Sequence, residues 1–517
     1  MGGAVSKEEG FISKEKSGYS FTQESHAKRY GRISQDSLAV NELAPPPYEI
    51  KERVVTLPLS ATKQWESSLL SEPKNRLAIS ALSANPISSI LTNQAAATAD
   101  TQTFNIKIPF EGGPITNQRS SGRCWLFAST NVFRVAIMKR YNLKDFELSQ
   151  AYLFYWDKIE KANWFLEQII DTATTHELDD RLVQTLFSDP ISDGGQWDMV
   201  SNLVEKYGLV PQVLYPDGYN AKNSSKMDWL ITAKLREQAL ELRKLATTAA
   251  TAAEETSARR AQLMLSLAKE RFMQEIHSIV TIMLGPVPDP QGKFQWDFYD
   301  ANGKFHQLQL TPKQFAASLS SKQGVQTCGG VNLSAMFSLV NDPRNEYGRL
   351  LTVDRLGNMV GGRGITYVNV DMSTIKSAAI NMLKAGYPVF FGCDVGKFSD
   401  SATGIMDLDL FDLTLGFNIS LGMDKAQRLQ TGESSMTHAM VLTAVQVENG
   451  EPVRWRVQNS WGETAGDKGW FVMSDKWADQ FLYQIVVDPR FVAKEVSDIL
   501  KQDALVLPRW DPMGVLA

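Results

Sequence analysis

Reactive side chains are scarce in this chain. Among 517 residues there are three cysteines (Cys124, Cys328 and Cys393) and five histidines. The cysteines are odd in number and none lies in a C-x-x-C pair, which argues against a secreted disulfide framework and for a reducing compartment. None has a neighbouring His or Cys at zinc-ligand spacing, so no metal is expected. Gly361-Gly362-Arg363-Gly364 lacks the Gly-Lys-Ser/Thr ending of a phosphate loop and reads as a turn, and no cofactor is implied. No apolar run approaches the roughly 18–20 residues of a membrane span, and the first residues contain no apolar signal core. Neither sign of charge dominates: a net charge of −5 gives no global drive toward nucleic acid.

What is present fits a large globular protein. Hydrophobic residues make up 43% and charged residues 21%, and the length implies several domains or subdomains. Residues 1–60, rich in Ser, Glu and Lys and containing Pro45-Pro46-Pro47, read as a mobile extension. Its first residues, Met1-Gly2-Gly3-Ala4-Val5-Ser6, fit the N-myristoylation pattern at Gly2, or match it by chance. A single myristoyl chain would give only weak, reversible membrane association. Residues 61–228 are expected to form a helical half, 229–300 a helical insertion used in oligomerisation, 301–490 a β-rich half and 491–517 a C-terminal arm. Within the insertion, long amphipathic helices are expected to flank a solvated connection around Ala246–Ala253.

Cys124 carries the most specific signal. It follows the small-residue turn Ser120-Ser121-Gly122 and opens a segment in which Phe133, Ile137 and Tyr141 recur every four residues. That period predicts a helix of about 15 residues with one apolar face. A helix N-terminus stabilises a thiolate, and the Gln118 amide six residues upstream is suited to donate to an oxyanion. A free cysteine is otherwise most often a small buried hydrophobe.

A second segment supplies what a thiol nucleophile needs. Val453, Trp455 and Val457 alternate with polar residues, the apolar run His438–Val447 precedes them, and Asn449-Gly450 lies between. This predicts a hairpin with a two-residue turn. Its register sets His438 opposite Trp461 and brings Asn459 to the same face, about 7–8 Å away between backbones. An imidazole beside a carboxamide is a base with its orienter. His26, His176, His277 and His306 have no comparable surroundings in the sequence.

Taken in order, Gln118, Ser121-Gly122-Arg123-Cys124-Trp125, Thr437-His438-Ala439 and Gln458-Asn459-Ser460-Trp461-Gly462 resemble the papain-like cysteine peptidases. They are more closely similar to the bleomycin hydrolase family of cytosolic aminopeptidases, a fungal-type member being expected. The similarity runs from about residue 60 to the end. Ser121 stands where secreted papains have a disulfide-forming Cys, and His438 follows Cys124 by far more than their roughly 130–150 residues; both departures favour the intracellular branch.

The resemblance implies an α+β papain-like fold: a helical subdomain carrying the Cys, an antiparallel β subdomain carrying His and Asn, and a large helical insertion. It implies Cys124 as nucleophile, His438 as general base and acid, Asn459 as orienter, and Gln118 with the Cys124 N–H as oxyanion hole. Gly194, Gly195 and Trp461 would bind substrate. The terminal carboxylate of Ala517, on an arm in the cleft, would meet the substrate's free amino group. A cytoplasmic homohexamer acting on peptides and aminoacyl amides is the expected form. The alternatives are a thiol acyltransferase and a nucleic-acid-binding protein of the same fold with secondary peptidase activity.

Overall fold

The computed structural model describes residues 56–318 and 333–516. Gly2, Cys328, Ala517 and all but the last residues of the expected N-terminal extension lie outside the described residues. The chain divides after Leu69. Residues 56–69 of the first unit contain most of the helix Leu59–Ser71; the second unit, Leu70–Ala517, contains everything considered below.

The helix that starts at Cys124 runs to Tyr141, where Asn142 ends it in the left-handed conformation and Lys139 and Arg140 complement its C-terminal dipole. One apolar face was expected; instead the helix is buried on all sides. Ser129, Thr130, Asn131 and Arg134 are as enclosed as Trp125 and Ile137. Some of their polar atoms find partners inside: Ser129 Oγ donates to Trp125 O (2.7 Å) and Arg134 Nη1 to Pro114 O (2.7 Å). Helices Gln150–Thr172 and Trp197–Tyr207 flank it on one side and the main sheet lies on the other. Trp197 joins the two layers, with edge-on contacts to Phe133 (5.6 Å) and Phe390 (5.5 Å).

Beyond these, Ser225–Ala250 and Glu255–Leu284 form an antiparallel helix pair resting on Gln150–Thr172. The alanine run expected in their connection is mostly helical, since Ala has the highest helix propensity, and only residues 251–254 link the two.

Fourteen strands are described: β1 (Ile106–Lys107), β2 (Phe294–Tyr299), β3 (Phe305–Leu310), β4 (Phe337–Val340), β5 (Arg349–Val353), β6 (Tyr367–Asn369), β7 (Val389–Cys393), β8 (Ser399–Asp400), β9 (Ile405–Met406), β10 (His438–Glu448), β11 (Glu451–Gln458), β12 (Trp470–Ser474), β13 (Leu482–Val487) and β14 (Leu505–Leu507). Strands β2 and β3 pair alone. The other twelve form one sheet in the order β14-β5-β6-β4-β13-β7-β10-β11-β12-β9-β8, with β1 pairing β10 beyond the end of β7. It is mixed: β10 is antiparallel to β7 and β11, whereas β14–β5, β4–β6 and β12–β9 are parallel. Together with the helical layer this is an α+β fold.

The hairpin between β10 and β11 has the expected turn. Asn449 and Gly450 both take positive φ (53° and 92°), which a two-residue primed turn requires. The expected register holds at the turn (Glu448 opposite Glu451) and again at the far end (Val441 opposite Gln458). Between them two compensating irregularities shift it by one residue. The ladder stops there, so His438 does not pair with Trp461; its Cα partner is Cys393 on β7. Because Gly450 needs left-handed backbone in otherwise open space, Gly450→Val should cost about 1–2 kcal/mol of stability by urea denaturation.

Candidate active site

Three segments converge at Cys124. The first is the approach loop, whose short strand-like pairing with the chain after β11 fixes its path. Asn117 bridges to Trp461, Gly462 N–H donates to Thr116 O (3.0 Å) and Gln118 N–H to Ser460 O (2.8 Å). Gln118 is held by its side chain as well. Its Nε2 donates to Ser121 O (2.7 Å) and its Oε1 accepts from Ser460 Oγ (2.7 Å). The Ser121 carbonyl can only accept, so the amide orientation is settled, and one Nε2 proton stays free.

The second segment is the helix start. Cys124 is its first residue, after Arg123, whose guanidinium makes a bidentate pair with Asp217 (2.8 and 2.8 Å) and lies over Phe127 and Phe154. The Cys124 side chain is only 2% exposed. Burial pushes its thiol up to about 11, against the pull of the Ala439, Trp125 and Cys124 backbone N–H groups.

The third is the end of the β10–β11 hairpin. His438 Nε2 lies 2.9 Å from Asn459 Oδ1, which also accepts from Ser460 N–H at 2.7 Å. A backbone N–H can bond only to the amide oxygen, so oxygen faces the imidazole. Nε2 therefore carries the ring proton and Nδ1 the lone pair. The Trp461 ring covers the imidazole (centroids 4.9 Å apart) and packs edge-on against Phe471. Burial lowers His438 to about 4, partly offset by the Asn459 hydrogen bond. Thiol and imidazole are thus each neutral near pH 7 when the other is neutral. Transfer of the proton from one to the other creates a charge pair in which each charge offsets the other's burial.

Of the residues singled out from sequence, Gln118, Cys124, His438, Asn459 and Trp461 are tied into this one network by the contacts just described. Gly194 and Gly195 lie on the loop before Trp197. Gly195 has a steric requirement of its own, because a Cβ there would lie 2.5 Å from the Trp125 ring. From the C-terminal arm, Val515 O accepts from Gln196 Nε2 (3.3 Å), next to that glycine pair. The arm is anchored by Asp511 on Arg344 (2.8 Å) and by buried Met513 and Gly514. Sequence reasoning missed the part played by Ser460, which stood there only as a member of the Gln458–Gly462 motif. Among the described residues no group of three or more His, Cys, Asp or Glu is arranged to hold a metal ion.

With this geometry established, comparison with known proteins decides the family. The profile of the peptidase C1-like family matches residues 56–514. The chain belongs to that family. Bleomycin hydrolases of mouse and human are each 40% identical to it over 457 residues, covering 87% of this chain and 96% of theirs. Cysteine proteinase 1, mitochondrial, of Saccharomyces cerevisiae is 39% identical over 484 residues, 92% of this chain and 96% of its own. The crystal structure of pepw from Lactobacillus rhamnosis superposes with a TM-score of 0.82 at 40% identity, covering 90% of this chain and all of that one. This peptidase C1-like chain is a cysteine peptidase of the bleomycin hydrolase type, with the family's α+β fold.

The depressed His438 value has a sign that can be tested. A folded-state value of about 4 against the ordinary 6.5 means that the unfolded chain binds the extra proton first. The associated stability is complete above about pH 6.5 and is lost as pH falls toward 4. Between pH 7 and 4.5 the parent should lose about 2 kcal/mol more than His438→Gln in urea denaturation. A parent that loses no more stability than His438→Gln over that interval would show that the folded site does not resist the extra proton.

Proposed function

We propose that this peptidase is a thiol aminopeptidase that removes N-terminal residues from short unblocked peptides and related amides, with Cys124 as nucleophile, His438 as base and later acid, and Asn459 as orienter. The observation that carries the reading is the His438–Asn459 hydrogen bond with its fixed tautomer, on the strand whose Ala439 N–H faces the Cys124 thiol.

The Cys124 proton passes to His438 Nδ1 as the sulfur attacks the substrate carbonyl carbon. Oxyanion charge is received by the free Gln118 Nε2 proton and the Cys124 N–H, groups already in place before charge develops. The imidazolium then protonates the leaving amine and a thioester remains. Water, deprotonated by His438, attacks the thioester, and the proton returns to sulfur as the acid leaves.

The end of the chain supports exopeptidase action. Its anchored arm reaches Gln196 beside Gly194 and Gly195, where an extended substrate backbone would lie, and Trp461 would wall the far side. A terminal carboxylate at Ala517 would pair with a free α-ammonium and exclude longer N-terminal extensions. By family resemblance we take the assembly to be a homohexamer in the cytoplasm, although the yeast relative is named mitochondrial. Gly2 remains a candidate for myristoylation, and no described helix is long and apolar enough to cross a membrane.

Cys124→Ser should lower turnover of aminoacyl-amide substrates at least a thousandfold, read by fluorogenic assay; activity within tenfold of the parent overturns the assignment. Removing residues 515–517 should open the cleft to N-blocked peptides. If the truncated enzyme still refuses N-acetylated substrates, the arm does not set the exopeptidase limit.

A further inference from the structure

Behind the nucleophile lies a group of buried charges that the mechanism above does not use. Lys158, on the helix Gln150–Thr172, is fully enclosed, and its Nζ contacts Asp193 Oδ1 (2.6 Å), Asp228 Oδ1 (2.7 Å) and Ile191 O (2.8 Å). Asp193 spends its remaining polar atoms on both sides of Cys124. Its Oδ2 accepts from Gly122 N–H (3.0 Å) and from Ser224 Oγ, and its backbone carbonyl accepts from Trp125 Nε1 (2.7 Å). The residue two before the nucleophile and the one just after it are therefore fastened to a single aspartate. A Cβ on Gly122 would lie 2.8 Å from Asp193 Cβ, so the approach leaves no room for another side chain.

We infer that Asp193, held by Lys158, is a positioning residue for Cys124: it fixes the turn and helix start from which the thiol is presented. This rests on Cys124 being the nucleophile. The clamp adjoins Ser121, where the secreted papain-like enzymes have a disulfide-forming Cys, and here the loop is fastened without a covalent bond. A carboxylate also acts on the thiol electrostatically. The charged and titratable groups around Asp193 are Lys158 and Asp228, with the Lys161 ammonium on the carbonyls of Ser192 and Gly194 at either side of it; those acting on Cys124 are Asp193 and Cys393, beside the proposed base His438. Burial favours the neutral acid in both aspartates. In Asp193 the Lys158 ammonium and the Lys158 and Ser224 hydrogen bonds outweigh it, so this carboxylate stays ionised, while Asp228 is pushed up to about 6. The Asp193 charge in turn adds to the forces that raise the Cys124 thiol.

Asp193→Asn tests both effects in the full-length enzyme. The asparagine keeps the size but loses the charge, so the acid limb of the kcat/KM profile should move down by about half a pH unit. The pH dependence of Cys124 alkylation by iodoacetamide should move with it. Looser presentation of the thiol should lower kcat about tenfold with KM changed less than twofold. Asp193→Glu, which retains the carboxylate, should return the acid limb to its parental position. If Asp193→Asn does not fold, Ser224→Ala removes one hydrogen bond to the same oxygen and should lower kcat two- to threefold with little change in Tm. An unmoved acid limb together with kcat within twofold of the parent in Asp193→Asn, or an unchanged kcat in the fallback Ser224→Ala, overturns the inference. Cys124→Ser, assayed in parallel, separates the two claims: activity retained in that variant means the nucleophile is misassigned, whatever Asp193 does.

Discussion

The site depends on one seam between the helical layer and the sheet. Gln118 donates its backbone N–H to Ser460 O, Gly462 donates to Thr116 O, and the Ser460 hydroxyl closes onto the Gln118 side chain. These few bonds join the loop that leads into the Cys124 helix to the chain that leaves β11. Each hydrogen bond contributes about 0.5–1.5 kcal/mol to stability. Their larger consequence is geometric. They relate a helix start and a hairpin end that are more than three hundred residues apart in sequence, and on both sides of the seam sit the groups that must meet.

Around the seam the structure favours precision over solvation. Cys124, His438 and Asn459 are buried, which makes each charged form costly alone and leaves the pair's mutual attraction unscreened. The imidazole cannot choose its tautomer freely, because the Ser460 N–H dictates which end of the Asn459 amide faces it. Trp461, packed on the ring, limits its rotation. A single base orientation thus follows from backbone geometry, without help from solvent.

Much of the site was legible in the sequence where local rules govern. The Cys124 helix followed from periodicity, and the His438–Asn459 meeting followed from one Asn-Gly turn, because strand pairing transmits register from the turn outward. Two compensating irregularities did not spoil that reading, since they cancel before Gln458. Long-range packing was not legible. The strand order of the sheet brings β14 beside β5 and β13 between β4 and β7, and no local pattern specifies those pairings. Nor could periodicity say that the Cys124 helix is enclosed on every side, because its buried polar residues mimic a solvated face. Lys158 was hidden for the same reason: charge on a helix reads as exposure until its partners are known.

The buried lysine with its two aspartates has a consequence for how such a sequence can change. Removing one partner of a buried charge pair costs about 3–5 kcal/mol, whereas replacing the whole group with apolar residues can cost little. Lys158, Asp193 and Asp228 come from three separate segments, yet they are bound to a common fate. Inheritance should preserve or replace them as a set, since a lineage that loses one carries a less stable chain until the others follow.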